Sequence, residues 1–461
     1  MQTRHDPYYY LPKFVRLEAR VTARSTARLR DYVMAMSGGS TPKKEEEEKY
    51  YSDQKSGVPF VRVQNLNVDG HLSLDEVKYV NRETHDGLLN RSKVLQDDLL
   101  VKITGVGRMA VASVPPIGFE GNINQHIARI RTDSRATSEA LAAWLNTDIA
   151  ETLAKRRSTG GTRPALDYPA LRSIPVILDA QVQKELSEAY AQYKQAEAEA
   201  NELLAGIDAF LLSELGITLP PEPENAIANR IFASRLKHCA GSRFDPFFNM
   251  PRFVNFQRHI ECLPNHKRVM DFGHFQRGVV YASQDEVADG VPVLRANNIN
   301  LSTGELDLSD LVKIRSDLEF KPTQKAKRGD ILICAASGSK EHAGKVCYIQ
   351  EDLDAYLGGF MMALRCRNDI VMPEYVAYYM QSKLFRMSIF RHLGGTNINN
   401  VSIEMFSRLS VLIPSPQHQQ DIVRQISEIR AAAKNIRFQA ELRLDATQKR
   451  IESILLGEVT V

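Results

Sequence analysis

The sequence predicts an α+β chain in which two repeated bodies are joined by two long helices that form an antiparallel coiled coil. Three observations predict it: an internal duplication, short apolar runs of strand length within each copy, and a heptad-spaced apolar stripe after each copy.

The duplication opens with Arg4-His5-Asp6-Pro7-Tyr8-Tyr9-Tyr10-Leu11-Pro12-Lys13-Phe14, which aligns without a gap on Arg243-Phe244-Asp245-Pro246-Phe247-Phe248-Asn249-Met250-Pro251-Arg252-Phe253. The correspondence continues in order. Asp31-Tyr32 with Gly38 matches Asp271-Phe272 with Gly278, and Val58–Asn67 matches Val291–Asn300 as V-P-x-[VL]-R-x-x-N-[LI]-N. Asp97–Val101 matches Gly329–Ile333, and Gly160-Gly161-Thr162 matches Gly394-Gly395-Thr396. Each copy closes with a short apolar stretch, Ile174–Leu178 or Leu409–Ile413, and then a polar, helix-forming segment.

Within the copies, Val58–Val63, Leu99–Ile103, Val291–Leu294 and Ile331–Cys334 are short apolar runs bounded by Gly, Asn or Asp, as strands are. Ser138–Thr152 and Glu374–Phe390 have helical spacing. After the first copy, Leu186, Tyr190, Tyr193, Glu197, Ala200, Leu204, Ile207 and Leu211 alternate steps of four and three, with Glu197 a break in the stripe. After the second, Ile422, Ile426, Ile429, Ala433, Ile436 and Ala440 do the same, resuming at Leu444, Ile451 and Ile454. A helix of more than thirty residues spans roughly 50 Å, and its stripe needs a partner, since apolar burial contributes about 25 cal/mol per Å². The two stripes are each other's nearest candidates. The second region is about eight residues longer before Leu455-Leu456, the match of Leu211-Leu212, so the two arms are not equivalent. The expected divisions are bodies at 1–178 and 227–414 and helical spacers at 179–226 and 415–461.

With 43% hydrophobic and 25% charged residues, the chain has the composition of an ordinary globular protein. No apolar run approaches membrane-spanning length, and Met1–Tyr10 lacks a signal-peptide core. The cysteines, Cys239, Cys262, Cys334, Cys347 and Cys366, are odd in number and without paired spacing, which points to a reducing cytoplasm rather than a disulfide framework or zinc site. The net charge is only +3, but residues 1–175 and 227–415 each carry about five more basic than acidic groups, while 183–224 is acidic. On charge alone the acidic stretch is first read as a well-solvated helix; two mildly basic bodies on either side of it could also place two DNA-facing surfaces on one chain.

Taken in order, these motifs resemble the specificity subunits of type I restriction–modification enzymes. The resemblance covers the whole chain and rests on R-x-D-P-aromatic, V-P-x-[VL]-R-x-x-N-[LI]-N, the Gly329–Ile333 strand, the G-G-T loops and the helix start at Ile413-Pro414-Ser415-Pro416. It implies that the bodies are target-recognition domains, each reading half of an asymmetric, split DNA sequence. It implies a spacer of paired helices that recruits methyltransferase subunits, two in number, with restriction subunits completing the complex. It further implies no catalytic centre, metal or cofactor on this chain, since S-adenosylmethionine would sit on the partner. Modules reading successive major-groove faces sit about one DNA turn apart, about 34–36 Å, which a helical bar of this length can bridge.

Phosphate contact favours Arg, Lys, hydroxyls and backbone N–H groups, while base reading favours Arg, Asn and Gln. The loops Gly160-Gly161-Thr162-Arg163 and Gly394-Gly395-Thr396-Asn397 fit such contacts, the glycines letting the backbone approach. Their alternative is a plain turn. Lys102, Thr104 and Arg108, with Ser337 and Lys340, are further DNA-binding candidates, followed by Arg62 and Arg295, whose alternative is a salt-bridged strand arginine. The first loop runs Gly161-Thr162-Arg163-Pro164 and the second Gly395-Thr396-Asn397-Ile398, so a one-to-one match of DNA-facing residues stays open.

Enzyme motifs are incomplete. Asp6-Pro7-Tyr8-Tyr9 and Asp245-Pro246-Phe247-Phe248 lack the second proline of the amino-methyltransferase D-P-P-Y motif, and no Gly-rich turn precedes either. Asp271-Phe272-Gly273 copies a kinase triplet without the rest of the set, and no histidines show zinc spacing. Two other readings remain: a helical scaffold whose bodies bind protein, and a recognition subunit of another modification-based defence system.

Overall fold

The computed structural model describes residues 6–43, 46–222, 224, 231–233, 244–300, 303–337, 343–392 and 399–458. The chain divides into two compact units, Met1–Glu197 with Arg437–Val461, and Ala198–Ile436. Each division point falls inside a long helix, Ala180–Glu214 or Pro416–Leu455.

Unit 1 holds an antiparallel sheet in the order Ala35–Gly38, Ile127–Arg131, Leu99–Lys102, Ala112–Ser113. Unit 2 repeats it as Gly273–Arg277, Met361–Cys366, Ile331–Cys334, Val346–Tyr348. The registers agree: Leu99 faces Ile130 and Ile331 faces Leu364, while Met36 faces Ile130 and Phe275 faces Leu364. A second sheet is shared in part. Lys78–Val80, Val58–Val61 and Glu120–Ile123 in unit 1 correspond to Val312–Ile314, Glu286–Leu294 and Tyr356–Leu357 in unit 2. In both, the first pairing is antiparallel and the second parallel.

The registers correct one correspondence drawn from the sequence. Gly39, rather than Gly38, is the partner of Gly278. Gly39 N–H donates to Ile127 O and Gly278 N–H to Met361 O, and the next residues donate to Ile123 O and Leu357 O. A Cβ at Gly39 would fall 2.1 Å from Ile123 O, and one at Gly278 2.0 Å from Gly358 O. Only glycine permits two backbones this close.

The expected helix Ser138–Thr152 is two helices, Arg135–Leu145 and Asp148–Arg157, and Glu374–Phe390 is likewise Pro373–Gln381 and Lys383–Phe390. The Thr147 and Ser382 hydroxyls cap the second helix of each pair by accepting from Ala150 N–H and Phe385 N–H. An apolar period runs through both breaks, which is why spacing alone does not reveal them. Ser410–Leu412 forms a strand against His266–Arg268, whereas its counterpart near Pro175 makes only a bridge to Arg28.

The core of unit 1 lies between its four-stranded sheet and these helices, around Leu99, Val101, Ile130, Leu141 and Trp144, whose indole N–H donates to Pro175 O at 3.0 Å. Val182, Leu186 and Tyr190 from the start of the central helix join it, as do Ile451, Ile454 and Leu455 from the end of the C-terminal helix. In unit 2, Leu211 from the end of the central helix and Ile422, Val423 and Ile426 from the start of the C-terminal helix join Ile331, Leu364, Tyr375 and Phe385. A carboxylate secures each arriving helix end. Glu452 accepts from Asp148 and Ile149 N–H at 2.7 and 3.2 Å, and Asp208 accepts from Lys383 N–H at 2.8 Å. Among the described residues, no helix is long and apolar enough to cross a membrane.

Candidate nucleic-acid interface

The most recognisable repeated motifs build the framework. Asp6 and Asp245 carboxylates each accept at 2.9 Å from the N–H two residues on, fixing the turn before the aromatics. Arg156 stacks 4.2 Å from the Tyr9 ring centre and donates to Tyr9 O, and Arg391 stacks 4.0 Å from Phe248 and donates to Phe248 O. The D-P-aromatic opening is thus aromatic packing beside a fixed turn. In V-P-x-[VL]-R-x-x-N, buried Asn65 and Asn298 accept from the N–H groups of Arg62 and Arg295 and donate to Asp75 O and Asp307 O. Asp98 and Asp330, also buried, accept from Leu95 and Lys327 N–H and pair with Arg131 and Arg365 on the neighbouring strand. Gly329 has φ +89° in the turn before Asp330, which glycine supplies freely, whereas Asp97 precedes Asp98 without a positive φ.

Loops at one end of the strands carry the candidates. In unit 1, Thr159 and Ala165 exchange backbone hydrogen bonds of 2.8 and 2.7 Å and close the loop holding Gly160, Gly161, Thr162 and Arg163, all exposed. Gly160 has φ +95°. Residues 102–108 lie against this loop: Thr104 bridges Ala165, Gly105 N–H donates to Pro164 O, and Leu166 N–H donates to Ile103 O. Two segments about sixty residues apart in sequence thus form one surface.

Individual side chains differ in what they present. Lys102 is only 6% exposed, and its ammonium donates to Val106 O at 2.7 Å, tethering the loop from within. Burial pulls its pKa below the usual lysine value, with Glu151 opposing. Arg108 pairs with Asp148 and Glu151. Arg62 donates to Glu76 O, and Arg295 pairs with Glu286 at 3.1 Å. Arg163 and Thr162 are the exposed polar groups of the set.

In unit 2, Ala336-Ser337 pairs with Asn399-Asn400, and Val401 N–H donates to Ala335 O, the counterparts of the Thr104–Ala165 and Ile103–Leu166 contacts. The candidates Lys340, Gly394, Gly395, Thr396 and Asn397 lie outside the described residues, as does the Ser337 side chain.

A third segment, missed in the sequence, completes each surface. Ile103 N–H donates to His126 O, and Ala335 N–H donates to Phe360 O. The strand registers match Thr41, Gln125 and His126 of unit 1 with Val280, Gly359 and Phe360 of unit 2. Thr41 and Gln125 are hydrogen-bonded to each other, while Val280 and Phe360 stand 87% and 73% exposed. Aligning Asn124-Gln125-His126 with Gly358-Gly359-Phe360 was the available signal. Among the described residues, no His, Cys, Asp and Glu cluster is arranged to hold a metal.

The two units thus share an α+β framework and differ in the residues that follow the matched strands. Residues 265–442 match the type I restriction modification DNA specificity domain. The chain is 31% identical over 182 residues to the type I restriction enzyme StySPI specificity subunit of Salmonella potsdam, covering 39% of this chain and 36% of the relative. It is 29% identical over 185 residues to the type I restriction enzyme EcoKI specificity subunit of Escherichia coli K12, covering 39% of each. These alignments therefore span well under half of the relatives' lengths. A crystal structure of a type I restriction–modification S subunit from M. genitalium superposes with a TM-score of 0.39 at 10% identity, over 92% of this chain and 95% of that one.

Proposed function

We propose that this chain is the sequence-specific DNA recognition subunit of a type I restriction–modification complex, cytoplasmic and non-catalytic, reading an asymmetric bipartite target and recruiting two methyltransferase subunits, with restriction subunits completing the assembly. The observation that carries the reading is that one framework is built twice, down to the Asn65/Asn298 and Asp98/Asp330 locks, while the residues at its strand-end loops differ. Two domains that fold alike and differ where they meet DNA read two different half-sites. The match of residues 265–442 to a DNA specificity domain supports DNA as the ligand of such loops.

In this reading, residues 1–178 and 227–414 are the target-recognition domains, and 179–226 and 415–461 are the spacers. The spacers pair as an antiparallel coiled coil. In support, Glu185 pairs with Arg450, Tyr190 accepts from Gln448 and Glu197 pairs with Arg437, partners descending as the first number rises. His418 pairs with Glu214 at 2.8 Å. Every stripe position from Leu186 to Leu211 and from Ile422 to Ile454 is buried or half-buried. The helices, of 35 and 40 residues, measure about 52 and 60 Å. DNA contact falls to Gly160, Gly161, Thr162 and Arg163 in the first domain, with Thr104 beside them, and to Ser337, Lys340, Gly394, Gly395, Thr396 and Asn397 in the second. Lys102 and Arg108 support the first of these loops, and they, Arg62 and Arg295 contact DNA where it competes for their carbonyl or carboxylate partners.

The test is to map modified bases across the host genome by single-molecule sequencing, with and without this gene. Loss of methylation at one asymmetric sequence, split by a fixed unspecified gap, is the expected result. Methylation that is present and unchanged by the deletion overturns the proposal in favour of a protein-binding scaffold.

A further inference from the structure

We infer that Val280 and Phe360 read thymine by its C5-methyl group in the half-site facing unit 2, an assignment that rests on the DNA-reading function proposed above. Both side chains are largely exposed, on two turns whose backbones adjoin, and so present apolar surface to a partner. Their backbones are held together. Val279 bridges Gly358, and a Cβ at Gly359 would lie 3.6 Å from the Val280 Cα. Glycines at 278, 358 and 359 let these two turns approach, with Gly278 N–H donating to Met361 O.

The position is the informative part. Phe360 O accepts from Ala335, the residue leading into the Ala336-Ser337 strand that pairs with Asn399-Asn400 beside the G-G-T loop. Phe360 is therefore joined to the strand Ala336-Ser337, which leads in sequence to one candidate segment of unit 2 and pairs with the residues that follow the other. Arg277, exposed next to Gly278, supplies a cation suited to a flanking phosphate. Unit 1 offers an internal control: on the same framework, the equivalent positions carry Thr41, Gln125 and His126, which are polar. The scaffold keeps its strand registers and changes these three positions from hydrogen-bonding side chains to apolar ones and a glycine. Structural need does not explain the change, because neither Val280 nor Phe360 fills a core. Base reading does. In the major groove, amide side chains read adenine or guanine edges, and the apolar feature available there is the thymine methyl. An exposed aromatic ring and a branched side chain on the adjoining turn offer apolar surface to that methyl.

The experiment uses the full chain with its methyltransferase partners and a duplex carrying the mapped target. Deoxyuridine replaces thymine, removing only the methyl, at each position of one half-site and then of the other. Burying one methyl corresponds to about a four-fold effect on affinity. The expected result is a loss of that size at one or two positions in a single half-site. With Phe360→Ala, affinity for the thymine duplex falls and the thymine-to-uracil ratio at those positions drops towards one. Phe360→Leu retains part of the ratio, and a thermal melt confirms that both variants fold.

Several outcomes overturn the inference. One is wild-type binding indifferent to uracil throughout; another is a half-site without thymine. A third is a Phe360→Ala loss equal on both duplexes, which marks a wedge between bases. A fourth is unchanged DNA affinity with weakened methyltransferase binding, which marks a protein contact. In each of these the complex still binds its split target, so failure here is distinct from failure of the recognition function, in which no target is bound at all.

Discussion

Asp98 and Asp330 occupy one motif position in two copies, so replacing each by alanine compares a single interaction in two settings. In both, one carboxylate oxygen accepts a backbone N–H in the preceding turn, at 2.9 Å for Leu95 and 3.1 Å for Lys327. The other pairing differs. Arg365 reaches Asp330 with Nε at 2.8 Å and Nη2 at 3.0 Å, and its side chain is 18% exposed. Arg131 reaches Asp98 at 3.1 and 3.5 Å and is 45% exposed. Removing Asp330 leaves a guanidinium that solvent hardly reaches with its 3.1 Å bond to Lys325 O as the remaining contact, a loss in the range of about 3–5 kcal/mol for breaking a buried pair. Removing Asp98 leaves Arg131 free to rehydrate, so the loss is the charge-assisted turn bond and a weak ion pair, about 2 kcal/mol. Asp330→Ala is thus expected to cost about 4 kcal/mol, roughly double Asp98→Ala. Urea unfolding read by hydrogen exchange, peptide by peptide, assigns each loss to its own unit. Fluorescence of Trp144, the single tryptophan and buried in unit 1, gives an independent reading of Asp98→Ala. Equal losses, or a larger one at Asp98, would refute the claim that partner exposure sets the cost.

Three further expectations follow from named contacts. Arg391→Lys removes both the stack on Phe248 and the Nε bond to its carbonyl, and is expected to cost about 1–2 kcal/mol, seen as faster exchange in residues 244–250. Burial alone would raise the Asp69 carboxyl, but hydrogen bonds from His71 and Lys194 and the lysine's charge overrule it and hold the pKa at about 2. Its folded value is depressed, so its contribution of about 2 kcal/mol is full above the unfolded value near 4 and is lost as pH falls towards 2. Asp69→Asn is expected to flatten the acid limb of unit 1 stability in that window, as measured by urea unfolding at stepped pH. The same carboxylate raises the His71 pKa, so that smaller contribution is present below about 6.5 and fades as pH climbs through the folded value. Finally, Arg163→Ala is expected to lower DNA affinity alike on target and non-target duplexes and to reduce the slope of log K against log salt by about one, as losing one phosphate contact does.

Much of this architecture was legible because the chain contains its own comparison. Gapless matches such as Val58–Asn67 with Val291–Asn300 expose what the fold requires, and the structure gives the reasons: Asn65 and Asn298 satisfy buried backbone groups, and Gly39 and Gly278 allow backbones to touch. Local physics hid other features. The breaks at Thr147 and Ser382 leave the apolar period intact, so a cap is the sole signal of two helices rather than one. Lys102 looked like a phosphate ligand by residue type, yet its side chain turns inward to Val106. A lysine's direction depends on which carbonyl is within reach, and that is a property of the folded loop.

The same comparison explains why the matched motifs were a better guide to the fold than to the reading surface. Residues shared by both copies are those a common scaffold needs, such as Asp98 with Asp330 and Arg156 with Arg391, and they are consumed by intramolecular contacts. Residues that read different sequences must differ between copies, so an alignment of the halves sets them aside. Thr41, Gln125 and His126 against Val280, Gly359 and Phe360 is such a set: equivalent in backbone and unlike in chemistry. Specificity in a duplicated reader is therefore sought where the framework matches and the side chains do not. By that criterion Gln125, matched by Gly359, is the unit 1 residue to test alongside Phe360. Its Thr41 bond pre-orients an amide of the kind that pairs with adenine in two hydrogen bonds. Replacing adenine by purine, which lacks the N6 amino group, is expected to weaken binding in the other half-site by about ten-fold in the wild type and little in Gln125→Ala. Sensitivity that survives Gln125→Ala unchanged would show that the two rims are not equivalent readers.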